Sequence, residues 1–125
     1  AWNITSKGFQ MVLSSYIPDL IKADIKKLVD AALDKFNLNQ SSINNWAVHP
    51  GGKKILEVIS SELKLNQDEL ESSFNILKNY GNLSSSTILF VLKDIFENKS
   101  LPGDKSFGVA FGPGLTLESM ILTHV

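Results

Sequence analysis

NNWAVHPGGKKILEVISSELKL, residues 44–65, changes character at one point, and that change decides the fold class. Asn45 to His49 is a compact run around Trp46, Ala47 and Val48 and reads as a short buried strand. Pro50-Gly51-Gly52 stops it with a turn, and a helix is expected from Lys53 to Leu65. A strand that passes through a glycine-rich turn into a helix is the opening of an α/β unit.

Working outward from it, Ile17 to Phe36 places Ile17, Leu20, Ile21, Ile25, Leu28, Val29, Ala32, Leu33 and Phe36 at helical spacing, with Lys22, Lys26, Lys27, Asp30 and Asp34 on a solvated face. Pro18 suits the start of that amphipathic helix, where no N–H is needed. Further upstream, Phe9, Met11 and Leu13 alternate with Gln10, Val12 and Ser14, as in a strand. Asn37 to Asn45 is a polar connection. Downstream, Asn66 with Glu69 resembles a capping box that opens a helix ending at Tyr80-Gly81. Ser84 to Ser86 can cap another helix reaching about Asn98. Its residues Ile88 to Leu92, Ile95 and Phe96 cover most of the circumference, which implies a largely buried helix with cover on both sides. Phe107 to Phe111 and Leu115 to Val125 read as strands around a Gly112-Pro113-Gly114 hairpin turn. The order β, α, β, three helices, β, β predicts an α/β fold with a mixed sheet.

The chain has 125 residues, enough for one domain, and 43% are hydrophobic, enough for a core. Its 12 basic residues are all Lys, against 13 acidic ones, for a net charge of −1. Without Arg or a basic face, nucleic acid is not an expected partner. Absence of cysteine excludes disulfides, thiolate metal sites and a thiol nucleophile within these residues. The longest apolar run, Ile88 to Leu92, is too short to span a bilayer, so no membrane partner is expected. Four N-x-S/T triplets, at Asn3, Asn39, Asn82 and Asn98, follow from a chain rich in Asn and Ser, and the expected location is cytoplasmic.

Few residues can do chemistry. His49 stands where the strand ends and the glycine turn begins, a place where α/β folds gather ligands, although a histidine there also serves as a hydrogen-bonding turn residue. His124 has no such context and reads as structural or solvated. Gly51 and Gly52 precede Lys53 and Lys54 in a first helical turn, whose free N–H groups suit an anion or a carbonyl or simply a turn. Asn82 fits a cap, or an amide that donates to an oxyanion. No metal-ligand cluster stands out.

Three segments taken together narrow these alternatives. Trp46-Ala-Val-His-Pro-Gly-Gly52 resembles the WxxHPGG segment around the catalytic histidine of chalcone synthase-like type III polyketide synthases. Tyr80-Gly-Asn-Leu-Ser-Ser85 resembles their YGNxSS segment with the catalytic asparagine. Phe111-Gly-Pro-Gly-Leu-Thr-Leu-Glu118 resembles their FGPGLTxE loop, and the three occur in the family's order across essentially the whole chain. One departure is the short Gly108-Val-Ala-Phe-Gly-Pro-Gly114 run, where the family usually carries extra residues before FGPG. Ketoacyl-ACP synthase III enzymes share the Cys-His-Asn set and GNxS but lack HPGG; plant fatty-acid elongase condensing enzymes carry HxGG and GNxSS. These other thiolase-fold enzymes, or a non-catalytic domain that binds acyl-CoA, are the alternative readings.

The resemblance implies that residues 1–125 are the C-terminal thiolase-like domain of a longer transferase. The N-terminal half with the nucleophilic cysteine would be absent, and these residues alone would be inactive. It implies His49 and Asn82 as catalytic donors. Gly51, Gly52 and Lys54 would border the coenzyme A tunnel, Ser84 would support the site, and Phe111, Gly112, Pro113 and Gly114 would wall a cyclisation pocket. The implied substrates are malonyl-CoA and an acyl-CoA starter, with no cofactor or metal, in a homodimer engaged in biosynthesis.

Overall fold

A computed structural model describes residues 2–5, 8–11, 17–111 and 116–125. Strands β1 (Trp2–Thr5) and β2 (Gly8–Met11) form an antiparallel hairpin, from Trp2 opposite Met11 to Thr5 opposite Gly8. The start of the expected strand is present as β2, paired with a further strand, β1, ahead of it, and Val12 to Ser14 lie outside the described residues. Helix α1 follows over Ile17–Asp34, with Pro18 in its first turn. Then come β3 (Asn45–Val48), α2 (Lys53–Glu62), α3 (Glu71–Tyr80), α4 (Thr87–Asn98), β4 (Lys105–Phe111) and β5 (Leu117–Thr123).

β3, β4 and β5 form one sheet in that order. β3 is parallel to β4, with Val48 opposite Val109, and β4 is antiparallel to β5, with Phe111 opposite Leu117. The sheet is therefore mixed, as predicted. A parallel pair requires a crossover, here made by α2, α3 and α4 together. Strand alternation then separates two apolar clusters. Trp46, Val48, Phe107 and Val109 pack with Ile21, Ile25, Val29 and Leu33 of α1 and with Leu56 and Ile59 of α2. Ala47 packs with Ile76 of α3 and Val91, Leu92 and Ile95 of α4. A period of two along each strand thus serves both faces of the sheet.

Helix ends explain most departures from the sequence reading. α2 stops at Glu62 because Lys64 adopts φ 53°, and the N–H of Leu65 donates back to Ser60 O at 2.9 Å. This left-handed turn folds Leu65 into the core. α1 ends in the same way at Asn37, φ 54°, with Leu38 N–H donating to Leu33 O at 3.1 Å. The capping box is present: Asn66 Oδ1 accepts from Glu69 N–H at 3.0 Å, and Glu69 Oε1 accepts from Asn66 N–H at 3.5 Å. It opens a 3₁₀ turn, Gln67–Leu70, that leads into α3. A second box, Asn39 with Ser42, lies in the connection read as merely polar.

α4 buries Thr87, Val91, Leu92 and Ile95, whereas Leu89, Phe90 and Phe96 are exposed. Within these residues it is covered on one side only. Among the described residues no helix is long and apolar enough to cross a membrane.

Trp46 is the largest fully buried side chain, and its ring meets that of Phe107 at 5.2 Å between centroids. Its Nε1 is buried without an acceptor, so truncation breaks no indole hydrogen bond. Trp46→Ala is expected to lower unfolding free energy by about 3–5 kcal/mol, almost wholly through lost packing. Urea unfolding measures this, and a loss under about 1 kcal/mol would contradict a central role for the ring.

Candidate active site

His49 follows the last residue of β3. Its N–H donates to Val109 O at 2.9 Å, and its carbonyl accepts from Gly51 N–H at 2.9 Å. Both main-chain groups are therefore engaged, and no hydrogen bond to the ring occurs among the described residues. The ring is half-buried, and burial alone holds the imidazole below its ordinary value. Burial thus favours the neutral ring, which keeps one N–H as a donor.

That shift has a measurable consequence. The unfolded chain takes up the His49 proton near pH 6.5, before the folded chain does. Stability should be fully present above that value and should decline as pH falls through it, because the unfolded state then binds more protons. Urea midpoints at about pH 7.5 and 5.5 should differ, and His49→Gln should reduce the difference. An unchanged difference in His49→Gln would remove this residue as the cause.

Gly51 packs closely beneath Ile55 and beside the His49 ring. A Cβ there would lie 3.2 Å from Ile55 Cδ1 and 3.7 Å from His49 Cδ2. Gly52 is the N-cap of α2 and supplies no side-chain cap, so N–H groups of the first turn stay open. Lys53 and Lys54 are exposed beside them.

Asn82 lies just beyond α3, where Gly81 turns the chain at φ 71°. Asn82 Oδ1 accepts from Ser84 N–H at 2.9 Å. This bond orients the amide and assigns its oxygen, leaving Nδ2 as the donor. Ser84 has φ 63°, a conformation a non-glycine residue holds at some cost. Fully buried Thr87 holds the turn: its hydroxyl accepts from Leu83 N–H at 2.8 Å and donates to Ser84 O at 2.7 Å. Ser84 itself is exposed, and Tyr80 stacks on Phe90 with centroids 5.8 Å apart.

Chain topology brings these segments to one end. Ser72 Oγ of α3 donates to Asp94 Oδ2 of α4 at 2.5 Å, and Tyr80 meets Phe90, so the two helices are antiparallel. α4 leads through a short loop to the start of β4, and therefore runs against β3 and β4 while α3 runs with them. Asn82 consequently lies at the carboxyl end of the sheet, as do His49 and Phe111. Gly112, Pro113 and Gly114 lie outside the described residues. His124 is at the opposite end and is structural: its Nε2 lies 2.6 Å from Ser106 Oγ, and its ring meets Phe96 edge-on.

The sequence reading passed over the two buried hydroxyls of this region, Ser73 and Thr87. Their signal is a hydroxyl residue at an inward-facing helical position, which is visible only once the faces are known.

A mixed sheet layered by helices, with a histidine loop and an asparagine loop at its carboxyl end, is the architecture of one thiolase-like half. The chain belongs to the family of chalcone and stilbene synthases, as its C-terminal domain; the family model matches residues 1–125. Type III polyketide synthase A of Arabidopsis thaliana is 35% identical over 125 residues, covering 95% of this chain and 32% of that protein. The crystal structure of PKS-I from the brown alga Ectocarpus siliculosus superposes with a TM-score of 0.92 at 28% identity, over 100% of this chain and 35% of that one. The C-terminal type III polyketide synthase domain of Steely1, a type I/III hybrid from Dictyostelium, gives 0.88 at 31% identity, over 99% of this chain and 35% of that one. The chain spans about a third of the length of the Arabidopsis protein and of a putative chalcone synthase of Bacillus subtilis, and 4% of a probable polyketide synthase of Dictyostelium discoideum.

Proposed function

We propose that this chain is the oxyanion-donor half of a type III polyketide synthase, an acyltransferase that decarboxylates malonyl-CoA and condenses the product onto a cysteine-bound acyl chain. The observation that carries this reading is the convergence of the HPGG and YGNLSS segments at one end of the sheet, with the Asn82 amide turned to donate.

In the first step the bond between the malonyl carboxylate and the α-carbon breaks. CO₂ leaves, and the electron pair moves into the thioester to give an enolate. The His49 ring N–H and Asn82 Nδ2–H would donate to the enolate oxygen, where negative charge develops. The enolate carbon then attacks the acyl-cysteine carbonyl, and collapse of the tetrahedral intermediate expels the cysteine thiolate. The same two donors serve that second oxyanion. In the loading step His49 has another task, since an imidazolium beside the cysteine stabilises the thiolate. A nearby thiolate raises a histidine pKa, opposite to the effect of burial seen in this chain.

The N-terminal half would supply the cysteine and cover the exposed side of α4. Gly51, Gly52 and Lys54 would border the coenzyme A tunnel, and Phe111 with the loop after it would wall the product pocket. We place the complete enzyme in the cytoplasm as a homodimer, with acyl-CoA starter and malonyl-CoA as substrates and no cofactor. The deciding experiment is an assay of the complete protein with malonyl-CoA and a panel of starter thioesters. A condensed product establishes the reading, whereas CoA-thioester binding without turnover would reduce the domain to a binding module.

A further inference from the structure

Ser73 lies near the start of α3 and is fully buried. Its Oγ donates to Val48 O at 2.8 Å and accepts from Val48 N–H at 3.1 Å. Val48 is the last residue of β3, and His49 comes next. β3 pairs with β4 on one edge. In a strand, successive residues direct their main-chain groups to opposite edges. His49 N–H therefore faces β4, where it meets Val109 O, and both main-chain groups of Val48 face away from it. One hydroxyl thus does at Val48 what a neighbouring strand would do, as donor and acceptor at once.

This contact joins the two candidate donors. The His49 ring has no hydrogen bond of its own among the described residues, so its direction follows from the main chain at 48–49. The helix that carries Ser73 continues to Tyr80 and delivers Asn82. Ser73 thereby ties the strand that ends at His49 to the helix that ends at Asn82. Alanine at this position would leave both Val48 groups unmatched, and an apolar residue of any size would do the same. We propose that Ser73 is a positioning residue that sets His49 against Asn82 at the carboxyl end of the sheet, an inference that rests on the donor roles given above.

The test is made in the complete enzyme with Ser73→Ala, Ser73→Thr and, as reference, Asn82→Ala, reading malonyl-CoA decarboxylation. Misplacing a donor by about 1 Å is enough to cost up to about 100-fold, so kcat of Ser73→Ala should fall on the order of 10- to 100-fold. KM for malonyl-CoA should change by less than about 3-fold, because the loss arises in the transition state. Ser73→Thr restores the donor and acceptor and should recover kcat to within about 3-fold of wild type. If Ser73→Ala does not fold, Ser73→Cys keeps the volume but weakens the hydrogen bonds, and it should lower kcat with KM held.

An unchanged kcat in the folded alanine or cysteine variant overturns the proposal. So does a loss seen only in KM, or a threonine variant as slow as alanine. The reference variant separates the two levels of the argument. If Asn82→Ala decarboxylates normally, the donor reading fails and the positioning role falls with it. If Asn82→Ala is crippled while Ser73→Ala is not, only the positioning role is lost.

Discussion

Asn82→Ala is expected to slow malonyl-CoA decarboxylation by the complete enzyme on the order of 10²–10³-fold, the usual cost of one oxyanion donor. The structure gives a reason to expect the loss in kcat rather than in binding. Asn82 Oδ1 is committed to Ser84 N–H, so what the amide offers outward is its Nδ2 donor. Such a donor contributes most where charge accumulates on the thioester oxygen, and that occurs in the transition state. Acylation of the cysteine should suffer less, because this step retains its nucleophile and His49. His49→Ala should damage both steps, since it removes a donor and the partner of the thiolate. Stopped assays of acyl transfer from a starter thioester and of CO₂ release from malonyl-CoA separate the two. Equal damage to both by Asn82→Ala would contradict the assignment.

These 125 residues alone should yield no condensed product from malonyl-CoA with any starter. They hold the proposed donors but no cysteine, so no acyl chain can be held covalently for the enolate to attack. Removing a nucleophile while leaving an oxyanion hole permits a residual rate at most, of a kind seen at about 10³–10⁴-fold over water in other systems. Slow CO₂ release without carbon–carbon bond formation is therefore the most that should be seen. Mass spectrometry of the reaction would decide it, and a polyketide product from the purified chain would end the argument for a missing cysteine half.

Much of the architecture is written in local pattern. The change at Pro50-Gly51-Gly52, the helical spacing around Ile21, Ile25, Val29 and Leu33, and the Asn66 capping box depend on neighbours within a few residues. So does the glycine that turns the chain after Tyr80. These features are present in the folded chain, although the Asn66 box opens a 3₁₀ turn ahead of α3 and Gly81 turns the chain at positive φ. The mixed character of the sheet also follows from the order of elements, whereas the parallel pairing of β3 with β4 is a finding of the structure.

Other features depend on contacts between distant residues, and no local pattern announces them. Lys64 takes a left-handed conformation because Leu65 must enter the core, not because lysine favours it. α4 reads as apolar nearly all round, yet tertiary packing buries Val91, Leu92 and Ile95 and leaves Leu89, Phe90 and Phe96 to solvent. The sequence by itself made His49 and Asn82 the candidates, by residue type and by the resemblance of the segments that carry them to a known family. Only the tertiary structure decided that both lie at the same end of the sheet, that burial lowers the His49 imidazole from its ordinary value, and that the Ser73 and Thr87 hydroxyls hold the two loops. The reason is physical: a hydrogen bond across 25 residues, or the desolvation of a ring, depends on distance in space, and spacing along the chain does not encode it.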